Sequence, residues 1–96
     1  MGHYIILGNY TEQGIKNVKD SPKRDEEARR MIEKAGGKMQ LYYTMGEHDF
    51  VAIIEMPSDE EMAKFLLQVG RAGNVRTKTL KAWSEIEIHK VMSQLP

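Results

Sequence analysis

The chain has no cysteine, which excludes disulfides, thiolate metal sites and cysteine nucleophiles together. It has no excess of charge of either sign: Lys+Arg and Asp+Glu both number 14, for a formal net charge of +0. A general nucleic-acid binder needs a basic surface to meet phosphate, so the balance argues against that class of partner. No apolar run approaches the length of a membrane span, and no basic segment leads into an apolar one at the start. The expectation is therefore a cytoplasmic protein with no membrane partner. Walker loops, nucleophile elbows and Rossmann glycine patterns are all missing. The three histidines, His3, His48 and His89, lack metal-ligand spacing, so no metal site is expected and cofactors stay unassigned.

What the chain does have is two stretches that are apolar at odd and even positions alike: Tyr4-Ile5-Ile6-Leu7 and Phe50-Val51-Ala52-Ile53-Ile54. A half-buried strand alternates apolar with polar, so a continuous apolar run means both sheet faces are covered. The remaining pattern supplies helix for one face only. Strand one is expected over His3–Tyr10, then a polar break over Thr11–Gly14 and a helical turn over Ile15–Val18. Ser21 as N-cap and Pro22 at the first helical position start the main helix. Its buried stripe is Ala28, Met31, Ile32 and Ala35, and Gly36-Gly37 ends it. Strands two and three, Lys38–Met45 and Asp49–Met56, form a hairpin. Ser58 and Glu61 form a capping box ahead of Met62, Phe65, Leu66 and Val69, with Gly70 and Gly73 as terminators. Strand four covers Val75–Trp83. Ser84 and Glu87 repeat the capping-box spacing before a short helix carrying Ile88, Val91, Met92 and Leu95.

The order β-α-β-β-α-β, with an Ala-Gly stop after each main helix, predicts an α+β, ferredoxin-like fold with a four-stranded antiparallel sheet and a C-terminal helix. Residues 1–96 read as one such domain. Right-handed crossovers put both main helices on one sheet face. The other face is left apolar, more than a soluble monomer usually exposes. A second copy packed on it makes a homo-oligomer, a dimer or a multiple of dimers, paired into an α/β barrel.

Three stretches carry a resemblance: Tyr4–Leu7 running into Tyr10–Arg24, Gly46-Glu47-His48-Asp49-Phe50-Val51, and Gly73–Leu80. On these the chain, over essentially residues 4–92, resembles the GYD domain family, small proteins of the dimeric α/β-barrel superfamily. The resemblance implies a ferredoxin-like fold and self-association, and no established activity. His48 stands where the family name implies tyrosine, so any role of that hydroxyl is absent.

The candidate chemistry gathers at one end of the expected sheet. Strands one and three are expected to be central antiparallel neighbours, which brings Tyr10 toward Asp49. His48, Asp49 and Tyr10 are the acid–base candidates. Asn9, Tyr10, Thr11 and Arg76 are the candidates for holding a small molecule between sheet and helices. Most have a plainer reading: Asp49 as a turn-fixing residue, His48 as solvated, Tyr10 as core with a wet hydroxyl, and Arg76 with Lys78 as a guard on an edge strand. Thr77 and Thr79 share a face with Val75 and are expected at the interface between copies. Three functions follow: an oligomeric module that binds a small molecule, a small acid–base enzyme of isomerase or monooxygenase type, and a structural assembly subunit.

Overall fold

A computed structural model describes residues 1–96. The strands are β1 (Gly2–Tyr10), β2 (Lys38–Tyr43), β3 (Phe50–Met56) and β4 (Val75–Ala82). They form one antiparallel sheet in the order β2-β3-β1-β4, the ferredoxin-like arrangement expected from the sequence. The helices are α1 (Glu12–Lys16), α2 (Ser21–Lys34), α3 (Asp59–Arg71) and α4 (Glu85–Met92), with a 3-10 turn over Val18–Asp20. No helix is long and apolar enough to cross a membrane.

Directly paired residues on neighbouring strands point to the same face. Tyr4, Ile6, Ala52, Ile54 and Met56 therefore face α2 and α3. Together with Ile32, Met62 and Phe65 they form the buried core. The opposite face carries Ile5, Leu7, Val51, Ile53, Leu80 and Tyr42, and no helix lies across its middle. Ile53 is 40% exposed, Leu80 50% and Tyr42 59%, whereas Ile54 is 1% exposed. Thr77 and Thr79 pair with Gly8 and Ile6, which puts them on the helix side. Their expected place at an interface through the open face is thus corrected: strand alternation turns them, with Val75, toward the helices.

Two helix starts differ from expectation. α1 begins at Glu12 rather than at Ile15, because Thr11 caps it by accepting from the Gly14 amide; the polar break is in fact its first turn. In α2, Ser21 is not the N-cap. The 3-10 turn delivers the chain already helical, with Ser21 at φ −54° and ψ −44°, and Asp20 takes the cap position. Both main helices end alike. Ala35 and Ala72 are the C-caps, followed by Gly36 at φ +93° and Gly73 at φ +84°, a left-handed step that glycine takes without steric cost. Gly70 lies inside α3 and does not end it. Ser58 accepts from the Glu61 amide without the reciprocal bond, while Ser84 and Glu87 form the full capping box.

Candidate functional site

The residues singled out from the sequence do meet at one end of the sheet. Gly8 pairs with Phe50, and the Asp49 amide donates to the Gly8 carbonyl at 2.9 Å. The Asp49 carboxylate accepts from the Tyr10 amide at 2.8 Å. His48 Nδ1 lies 3.1 Å from Asn9 Oδ1, and Asn9 Nδ2 donates to the Glu47 carbonyl at 2.8 Å. Here the acid closes the end of β1, and the imidazole is steadied by an amide. No hydrogen bond joins His48 to Asp49. Tyr10 presents its backbone to Asp49, while its hydroxyl lies 3.1 Å from Ser21 Oγ on the helix side.

Thr11 donates to the Gly73 carbonyl at 2.6 Å and ties α1 to the turn before β4. Arg76 pairs with Asn9 across the ladder, yet its guanidinium donates to the Gly70 and Val75 carbonyls. No group of three or more histidine and carboxylate side chains is placed to hold a metal ion.

A cavity of about 240 Å³ lies between the sheet and helices α2 and α3, and 15 of its 22 lining residues are hydrophobic. Its walls include Ile6, Ala28, Met31, Phe50, Leu66 and Val69. Phe50 lies directly over Gly8, where an added Cβ would come within 2.0 Å of the ring. The bare backbone is what lets this aromatic lie flat in the wall. The Tyr10 ring stands beside it, with centroids 6.2 Å apart and planes at 58°, a tilted geometry favoured by aromatic quadrupoles.

One end of the cavity is polar. Ser21 is buried, and its Oγ accepts from Arg24 at 3.0 Å besides meeting the Tyr10 hydroxyl. The Tyr43 hydroxyl donates to the Asp25 carboxylate. Tyr43 is 54% exposed, and its partial burial, then the hydrogen bond to Asp25, raises its pKa above the ordinary value, so the phenol is neutral and acts as a donor. Tyr10, Ser21, Arg24, Asp25 and Tyr43 all line the cavity, whereas Asn9, Thr11, His48, Asp49 and Arg76 do not.

Of the five residues at the polar end, sequence reasoning marked only Tyr10 as a site candidate. The signal for the others was present. The apolar stripe Ala28, Met31, Ile32, Ala35, of which only Ile32 is fully buried, runs backward at the same helical spacing to Arg24, Asp25 and Ser21. Met39, Leu41 and Tyr43 alternate onto one face of β2.

At the far end of the same face, the Tyr4 hydroxyl donates to Asp59, and Lys81 Nζ lies 2.9 Å from the same carboxylate. The Tyr4 hydrogen bond, then Lys81, lowers the Asp59 pKa. This cluster pins the first residue of α3 to the sheet and stands outside the cavity lining.

The family model described as GYD domain matches residues 4–92. The glutamine synthetase and cystathionine beta-lyase binding protein of Thermus thermophilus is 29% identical over 84 residues, covering 85% of this chain and 88% of that protein. Among solved structures, MtbAldR is similar with a TM-score of 0.59 at 15% identity. That likeness covers 88% of this chain but 53% of MtbAldR, so the chain spans about half its length. TTHA0845 from Thermus thermophilus is similar with a TM-score of 0.54 at 21% identity, over 88% of this chain and 95% of that one. At such identities these structures share the fold alone.

Proposed function

The chain belongs to the GYD domain family, and on that premise we propose that it is a self-associating binding module which holds a small molecule between its sheet and its two main helices. The observation that carries this reading is the cavity of about 240 Å³, apolar along its walls and polar at one end. A few convergent polar groups on an otherwise apolar concavity is the usual make-up of a ligand site. Self-association is supported by the open sheet face, where Ile53, Leu80 and Tyr42 stay exposed; a two-fold contact between copies would bury this same patch on both. In this proposal the whole chain acts as one domain in the cytoplasm, as a dimer or a multiple of dimers.

The enzyme reading has weaker support, since Asp49 is spent on the Tyr10 amide and His48 on Asn9. A purely structural role leaves the cavity without a purpose. A second binding reading does have an observation in its favour. The Thermus thermophilus relative is named for binding glutamine synthetase and cystathionine beta-lyase. Here Trp83, Ile86 and Leu95, around α4, are 56%, 74% and 68% exposed. Under that reading the module docks on a metabolic enzyme, and glutamine synthetase of the same host co-elutes with it in size exclusion.

Native mass spectrometry of protein purified from its own host tests the ligand reading. The expected result is a mass above that of the chains alone which is lost on denaturation. Bare chains, together with unchanged stability when Ala28→Leu intrudes on the cavity wall, would overturn it.

A further inference from the structure

Resting on the reading of the cavity as a ligand site, the geometry points to a small apolar monocarboxylate as its occupant, with the tail among Met31, Phe50 and Leu66 and the carboxylate on Arg24. Arg24 is the one cation among the 22 lining residues, and it is half-buried. It forms no ion pair within the chain. Its guanidinium donates to the Asn17 carbonyl at 3.2 Å and to Ser21 Oγ at 3.0 Å, which orients the fork and leaves further N–H donors unspent. A planar fork held in place by neutral acceptors is suited to a bidentate carboxylate. The Tyr10 hydroxyl, held by Ser21, lies beside it as an additional polar group.

Two carboxylates also border the cavity, Asp25 and Glu27. Asp25 receives the Tyr43 hydroxyl, and Glu27 is exposed to water. Neither neutralises Arg24. The volume of about 240 Å³ falls below the roughly 300–1,000 Å³ of drug-sized sites, so the acid is small. An arylpropionate has suitable dimensions and polarity.

Calorimetric titration with hydrocinnamate, its neutral amide, the matching phenylpropylamine and propylbenzene tests the assignment on the intact protein. Hydrocinnamate is expected to bind at least about tenfold more tightly than the amide, the scale of one charge-assisted contact. Arg24→Gln should bring the two within about twofold of each other, while propylbenzene, which has no polar head to meet Arg24, binds as before and so shows that the variant is folded. If the amide equals the acid, or the amine binds more tightly than either, the carboxylate assignment is overturned and the cavity reading survives. If none of the four binds, propylbenzene included, the cavity reading itself falls and the assignment with it.

Discussion

Ile53 and Ile54 are neighbours in β3, alike in chemistry and opposite in circumstance. Ile54 is 1% exposed beneath the helices, and Ile53 is 40% exposed on the open face. The same contrast holds across the sheet. One face meets α2 and α3 and encloses a cavity with an organised polar end; the other carries Ile5, Leu7, Val51 and Leu80 with no covering layer of its own. A run of apolar residues thus specifies that both faces want cover, while the location of the helices decides which face obtains it within the chain. Leaving aliphatic side chains against water forgoes roughly 25 cal/mol per Å², and that free energy remains open to a second copy.

The largest test of this contrast is a pair of truncations. Ile54→Ala is expected to cost about 3 kcal/mol in urea unfolding, at any protein concentration, because the side chain is buried in the core beneath the helices. The cost of Ile53→Ala is expected to be smaller and to appear only at concentrations where copies associate. Equal, concentration-independent losses would mean that the two faces do not differ in how they are covered.

Gly8→Ala probes the wall of the cavity and ranks next. The new methyl would displace the Phe50 ring, for a loss of about 2 kcal/mol by overpacking, and ligand uptake should fall along with stability in a thermal melt.

Ser21→Ala comes third, at about 1 kcal/mol for the lost polar contacts. Because Ser21 joins Tyr10 and Arg24 rather than capping α2, helix content by far-UV circular dichroism should not change.

The smallest effect is on the alkaline side. The Tyr43 phenol ionises at a higher pH in the folded chain than at its ordinary 10.0. The unfolded chain loses that proton first, so this group's contribution is intact below that ordinary value and is lost as pH rises through the folded one. Tyr43→Phe should flatten that alkaline fall in a pH series of unfolding curves; an unchanged slope would show that neither burial nor Asp25 holds the phenol in its neutral form.

The fold was legible in the sequence because its signals are local and mutually consistent. Apolar runs mark β1 and β3, Ala-Gly stops mark two helix ends, and Ser84 with Glu87 marks the last helix. The approach of Tyr10 to Asp49 followed from strand order alone. The start of α1 was not legible, since Gly14 reads as a break although its lack of a side chain serves packing: a Cβ there would lie 1.8 Å from the Asn74 carbonyl oxygen. Ser21-Pro22 misled for a related reason. A Ser-Pro pair is an N-cap signal in isolation, and the preceding 3-10 turn, which overrides it, has no comparable signature. The cavity was the least legible feature. It is a volume left over when Phe50 settles on Gly8 and two helices lie against a sheet, and no one segment encodes it.

The central claim is that a second copy covers the open face, and equilibrium sedimentation of Ile53→Glu beside the unmodified chain tests it most directly. The unmodified protein should sediment as a dimer or a multiple of dimers of the 11.0 kDa chain, and Ile53→Glu as a folded 11.0 kDa monomer or as unfolded chain. An unmodified protein that is monomeric at every concentration, or a charged variant that associates as before, would contradict the account.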